Sequence, residues 1–222
     1  MLYVVATPIG NLKDITLRAI ETLKNADFII AENPRNSLKL LKHYEIPNKK
    51  IIQFAEHNER KVLSTIISQL STADGALITD AGTPGISDPG FRLVRASVAE
   101  GIQVVPIPGP SASAAALSAS GLPTDRFLFV GFLPRKETAL TKTIKLAQLT
   151  ESTLVGFDSP FRIKKTLELI AKVFPESKIV VARELTKLYE EFTRGTAKDV
   201  SEELSKRGNI KGEITVLLSF KG

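Results

Sequence analysis

Residues 80–90, Asp80-Ala81-Gly82-Thr83-Pro84-Gly85-Ile86-Ser87-Asp88-Pro89-Gly90, hold three Gly, two Pro and two Asp in eleven positions. Glycine allows positive φ and lets a ligand approach the backbone closely. Proline stiffens the loop and removes amide donors. The run follows an apolar stretch, Gly75-Ala76-Leu77-Ile78-Thr79, and precedes a helical pattern from Phe91. A rigid glycine-rich loop at the carboxyl end of a strand is where α/β proteins hold ligands. Ordinary connections of this type run about 2–6 residues, so a loop this long and this punctuated points to binding rather than to a simple turn.

Two further loops share the pattern. Val104-Val105-Pro106-Ile107-Pro108-Gly109-Pro110-Ser111 leads into a helix made almost wholly of Ala and Ser, with Ser111 as its expected N-cap. At the start of the chain a strand, Leu2-Tyr3-Val4-Val5-Ala6, turns out through Thr7-Pro8-Ile9-Gly10-Asn11.

These loops need a sheet to align them. Strands are expected at 2–6, 28–31, 51–55, 76–79 and 103–107, with helices at 16–25, 37–44, 58–70, 90–100 and 111–120. Apolar β-branched runs alternating with amphipathic helices predict a mostly parallel sheet covered on both faces. The run Gly121-Leu122-Pro123-Thr124-Asp125 suggests a boundary. Beyond it strands are expected at 126–132, 153–157, 178–182, 190–194 and 213–220, with helices at 135–149, 161–174 and 197–206. Two α/β domains are therefore expected, residues 1–122 and 123–222.

Composition narrows the chemistry. The chain has 222 residues, 43% hydrophobic and 24% charged, as in a globular protein. No apolar run approaches the roughly 18 residues of a membrane span, and no leader pattern stands at the N-terminus. With no Cys, a cytoplasmic location is expected. The two histidines, His43 and His57, give no metal-ligand spacing, so no metal is expected. No G-x-G-x-x-G follows the first strand, and neither a Walker A sequence nor a G-x-S-x-G elbow occurs. A reaction without a covalent intermediate is favoured. Methyl transfer from S-adenosylmethionine suits this, because the protein mainly aligns an already activated group.

Charge is uneven. Residues 1–122 hold 12 Lys and Arg against 11 Asp and Glu, while residues 123–222 hold 18 against 13. A basic half suits a polyanionic partner such as nucleic acid, although a solvated lysine-rich surface has the same composition.

Several motifs in collinear order carry a resemblance. The opening segment 2–16, Thr79-Asp80 through Gly90, Pro106-Ile107-Pro108-Gly109-Pro110-Ser111, segments 119–125 and 131–136, Asp158-Ser159-Pro160-Phe161-Arg162 and segment 183–191 together resemble the tetrapyrrole methylase superfamily. Within it they resemble most the small-subunit rRNA cytidine-2′-O-methyltransferases. The resemblance implies two α/β domains, a mostly parallel N-terminal sheet and a mixed C-terminal one, with S-adenosylmethionine in the cleft between them. It implies that Ile9, Gly82, Thr83, Ile86, Ser111 and Ala112 line the cofactor pocket, the last two at a helix N-terminus that favours a carboxylate. Phe157 and Leu185 are implied as adenine neighbours, with core packing as the alternative. A homodimer is implied as well.

The expected partner is 16S rRNA or the small ribosomal subunit. Arg35, Lys39, Arg135, Lys136, Arg162, Lys164, Lys165, Arg183 and Lys187 are the expected phosphate contacts. A ribose hydroxyl needs a proton acceptor; Glu32, Asp88, Glu184 and Lys187 are the candidates, and the sequence does not choose among them. The chain departs from the family in carrying Glu32-Asn33-Pro34-Arg35 where an acidic-Asp-Thr-Arg segment is usual. Many relatives also carry a C-terminal helical extension, and no contribution from one to RNA binding is expected here. Two alternatives stay open: a methyltransferase acting on an anionic tetrapyrrole, and a non-catalytic RNA-binding module.

Overall fold

The computed structural model describes residues 1–221, and these divide into two compact units, one of residues 1–111 and one from residue 112 onward. The first carries β1 (Leu2–Val5), α1 (Leu17–Asn25), β2 (Phe28–Ala31), α2 (Pro34–His43), β3 (Lys50–Gln53), α3 (Glu59–Leu70), β4 (Gly75–Ile78), α4 (Phe91–Ala99) and β5 (Val104–Ile107). Its five strands are all parallel, in the order β3-β2-β4-β1-β5. β2 and β4 are buried along their whole length, which is why they read as unbroken apolar runs.

Two cores flank this sheet. Ala19 and Leu23 of α1 and Leu41 of α2 pack with Val5, Ile29, Ala31 and Ile78. Ile66 and Leu70 of α3 and Leu93 of α4 pack with Leu2, Phe28, Ile30 and Leu77. Helices after β1 and β2 thus lie on one face, and helices after β3 and β4 on the other. Neighbouring strands β1 and β4 therefore send their chains to opposite faces, opening a crevice at their carboxyl ends.

The second unit carries α5 (Ala112–Ser120), β6 (Phe127–Phe132), α6 (Glu137–Leu149), β7 (Thr153–Asp158), α7 (Ile163–Val173), β8 (Lys178–Arg183), β9 (Glu191–Thr196), α8 (Ala197–Ser205) and β10 (Ile214–Ser219). The order is β6-β7-β10-β8-β9; β6 and β7 are parallel and the other pairs antiparallel, so the sheet is mixed. α6, α7 and α8 cover one face through Ile144, Leu167, Ile170, Val200 and Leu204. Side chains alternate across a strand, and α5 packs against β7, β8 and β10.

That packing moves the division between the units. The expected boundary lay at 122/123, but the small-residue helix α5 is part of the second unit. Ala116, Leu117 and Ser120 are buried. The Arg194 guanidinium on β9 donates to the carbonyls of Ala119 (2.7 Å) and Ser120 (3.1 Å). Segment 121–125 ends a helix inside this unit; Gly121, at φ +80°, takes the left-handed turn after it.

Candidate functional site

In the first unit the three punctuated loops are laced together. Thr7 N–H donates to the Gly82 carbonyl (2.9 Å) and Gly82 N–H to the Thr7 carbonyl (3.0 Å). Thr7 Oγ1 donates to the Thr79 carbonyl (3.1 Å), and Thr83 Oγ1 donates to the Pro110 carbonyl (3.3 Å). Loops leaving β1, β4 and β5 are thereby fixed to one another. Gly82 (φ +77°) and Gly85 (φ +81°) adopt left-handed conformations. Gly90, at φ +145°, leaves no room for a side chain: a Cβ would stand 2.9 Å from the Gly85 nitrogen.

Of the expected cofactor residues in this unit, Ile9 is buried under Gly82, whose hypothetical Cβ would meet its Cγ2 at 3.5 Å. Thr83 is half-buried, and Ile86 is exposed on the loop's outer turn. Ser111 closes the unit immediately before α5, which begins at Ala112. Gly82's own amide and carbonyl are spent on Thr7. Its contribution is shape, a place where the backbone carries no side chain, rather than hydrogen bonding.

Beside this loop lies a cavity of about 160 Å³ lined by Thr7, Thr79, Asp80, Asn36 and Lys39 among others. Asp80 Oδ2 accepts from Asn36 Nδ2 (2.8 Å), and Glu32 Oε2 accepts from the Asp80 N–H (3.3 Å). Glu32 is thereby linked through the Asp80 backbone to the loop leaving β4, at the adjacent ends of β2 and β4. Asp80 stands in the punctuated loop, but nothing in the sequence signals that Asn36 on α2 reaches it. The Asn33-Pro34 departure is locally sound, since Asn33 Oδ1 accepts from Arg35 N–H (3.1 Å) as N-cap and Pro34 takes the first helical position. α2 consequently starts at Pro34, three residues before its expected start.

In the second unit Phe157 is half-buried, its ring edge-on to Phe129 (5.2 Å) and Phe132 (5.9 Å). Leu185 is buried. Two of the candidate proton acceptors are engaged here. Lys187 Nζ donates to Glu184 (2.8 Å) and Glu213 (3.1 Å). The Lys187 bond, then the Glu213 N–H, holds the Glu184 carboxyl below its ordinary range against the opposing effect of burial. Burial pulls Lys187 down, but its bonds to Glu184 and Glu213 more than offset this and hold the ammonium above its ordinary range. A carboxylate so stabilised and an ammonium so held are poor bases.

The expected phosphate contacts divide in the same way. Arg35, Lys39, Arg135, Lys136 and Lys165 are exposed. Arg162 instead grips buried Asp158 (2.5 Å) and the Leu133 carbonyl (2.9 Å). Lys164 closes the end of α8 through the carbonyls of Ser205 and Arg207. Arg183 pairs with Glu191 (3.1 Å), which also takes Arg207. These four side chains, counting Lys187, hold the unit together, and the basic composition overstates the free charge.

The architecture is that of a two-unit α/β methylase. The profile of the family Tetrapyrrole (Corrin/Porphyrin) Methylases matches residues 1–201, and the chain belongs to this family. It is similar to the protein named ribosomal RNA small subunit methyltransferase I of Hydrogenobaculum sp. (strain Y04AAS1), 49% identical over 219 residues, covering 98% of this chain and 95% of that one. A protein of the same name from Thermotoga maritima is 41% identical over 221 residues, covering 99% and 98%. Another from Halalkalibacterium halodurans is 44% identical over 222 residues, covering 100% and 76%. Among solved structures, diphthine synthase matches with a TM-score of 0.78 at 18% identity, covering 98% of this chain and 89% of that one. The methyltransferase CobJ matches with a TM-score of 0.71 at 18% identity, covering 98% and 93%. At such identities the likeness is one of fold. Among the described residues no helix is long and apolar enough to cross a membrane.

Proposed function

We propose that this chain is an S-adenosylmethionine-dependent methyltransferase of small-subunit ribosomal RNA, acting on the 2′-hydroxyl of a decoding-centre cytidine in 16S rRNA. The observation that carries this is the near-full-length identity of 49% to a protein named ribosomal RNA small subunit methyltransferase I. The interlocked loops of the first unit support it. Around Gly82 and Gly85 the backbone is bare, and Thr83 and Ile9 fix its position, so the residues present fit a close-lying cofactor. Bound S-adenosylmethionine supplies a methyl group already activated by a sulfonium leaving group. Ile86 and Ser111 extend this surface in the proposal.

The proton of the attacking hydroxyl needs an acceptor, and Glu32 with Asp80, beside the cavity that Lys39 lines, is the pair best placed for it. Asp88 lies within the same loop and is the next choice. Arg35, Lys39, Arg135, Lys136 and Lys165 are the proposed phosphate contacts. The proposal includes a homodimer: sedimentation at micromolar concentration should give twice the 24.2 kDa of one chain, and a single-chain mass would overturn that part.

The deciding experiment incubates the protein and methyl-labelled S-adenosylmethionine with 16S rRNA, with small subunits, and with a porphyrin precursor. Label in a cytidine 2′-O position is expected. Label in the porphyrin alone would return the anionic-tetrapyrrole alternative. RNA binding without any affinity for S-adenosylmethionine would leave a binding module.

A further inference from the structure

One end of the second sheet carries an unusual surface. β6 and β7 are parallel, and β8 runs the same way because each of β7 and β8 is antiparallel to β10. The chain therefore leaves all three strands at one end, through loops 133–136, 159–162 and 184–190. Phe161 there is 97% exposed. It is not on a loose segment: Ser159 Oγ accepts from the Phe161 N–H (3.3 Å), and the N–H groups of Arg162 and Ile163 both donate to the Ser159 carbonyl. The neighbouring Arg162 is locked to Asp158 and to the Leu133 carbonyl, so the loops after β6 and β7 are tied together. At the same end Phe132 is 64% and Tyr189 68% exposed. Exposed Lys165 stands in the first turn of α7, four residues after Phe161, and exposed Arg135 and Lys136 follow Phe132.

Phe161 is held rigidly with its ring in water. Rigid aromatic faces interleaved with positive side chains are what single-stranded nucleic acid requires: rings stack on unpaired bases while cations follow the phosphates. Large exposed apolar groups clustered in this way mark an interaction surface. We infer that Phe161 forms a stacking platform for unpaired bases of an RNA substrate, with Tyr189, Phe132, Arg135, Lys136 and Lys165 at the same end of the sheet. This rests on the rRNA reading above and adds to it that the substrate is engaged through unstacked bases and not as a continuous duplex. A second copy of the chain is the competing occupant; the flanking cations favour RNA.

The chain contains no Trp, so Phe161→Trp introduces a single indole at the platform, where full exposure makes the exchange harmless to folding. A single-stranded RNA of about ten nucleotides should quench this indole, and the duplex of the same sequence should not. Phe161→Ala should weaken binding of the single strand by about fivefold or more, and Phe161→Tyr should restore it. An indole unaffected by a single strand that still binds overturns the platform. An indole that changes with protein concentration alone also overturns it, in favour of self-association. If wild type methylates small subunits while Phe161→Ala binds and reacts as wild type does, the platform fails and the activity stands. If quenching occurs without methyl transfer by wild type, the activity fails and the platform stands.

Discussion

Thr7 and Gly82 exchange both of their backbone hydrogen bonds, at 2.9 and 3.0 Å, as an isolated antiparallel bridge between loops that leave two parallel strands. The bridge depends on Gly82 at φ +77°, where space for a Cβ exists but the conformation does not suit an L side chain.

Gly82→Val should therefore act through the backbone. Cofactor affinity should fall at least about tenfold, equivalent to about 1.4 kcal/mol. Calorimetric titration with S-adenosylmethionine measures it, with Gly101→Ala as control, since Gly101 has a similar φ of +68° and open space around it. Equal affinity in folded Gly82→Val and wild type would remove this loop from the site.

Glu32→Gln and Asp80→Asn test the acceptor assignment. Each should lower the methyl-transfer rate by about 10²-fold or more if it takes the proton, with cofactor affinity nearly unchanged. Glu184→Gln should leave the single-turnover rate close to wild type. The reverse pattern would move the base to the second unit.

The strands and helices were legible because their periodicities are strong: β2 and β4 read as buried, and each expected element exists. What misled was partnership. Arg162, Lys164 and Arg183 read as free cations because a sequence displays a charge and not the carbonyl or carboxylate it meets 4 to 43 residues away. The same limit hid Asn36, whose bond to Asp80 spans 44 residues. Gly121 and Pro123 punctuate a turn that reads as a boundary, while the preceding helix, α5, packs with strands that follow it.

Arg162→Ala should destabilise the second unit, not merely weaken RNA binding. It leaves the fully buried Asp158 carboxylate without its cation, a loss of about 3–5 kcal/mol for a buried pair. Lys165→Ala, at an exposed position, should change stability by no more than about 0.5 kcal/mol. Urea unfolding of the two variants gives the comparison.

Acid should loosen the same unit. Hydrogen bonding from Lys187 holds Glu184 below its ordinary range; for Glu191 burial opposes, but Arg207 and Arg183 more than offset it. A folded pKa below the unfolded value gives stability that is present above the unfolded value, about 4.3, and lost as pH falls through the folded one. The unfolding midpoint should thus drop as pH falls below that value, and less steeply in Glu184→Gln/Glu191→Gln. Identical pH profiles for the double variant and wild type would contradict the linkage.

The salt dependence of RNA binding separates free cations from anchored ones. Arg135, Lys136 and Lys165 are exposed at one end of the second sheet, whereas Lys164 is bound to the carbonyls of Ser205 and Arg207. Each phosphate contact on a single strand releases counterions and adds about 0.7 to the slope of log affinity against log salt. Replacing Arg135, Lys136 and Lys165 with Ala should therefore flatten the slope by up to about 2. Cofactor affinity should stay unchanged, because none of these three side chains is among the proposed cofactor residues. Lys164→Ala should leave the slope unaltered and lower stability, since α8 loses a cation at its carboxyl end. A wild-type slope in the triple variant would reduce these three residues to solvated surface. A flattened slope in Lys164→Ala would mean that its ammonium exchanges carbonyls for phosphate when RNA binds.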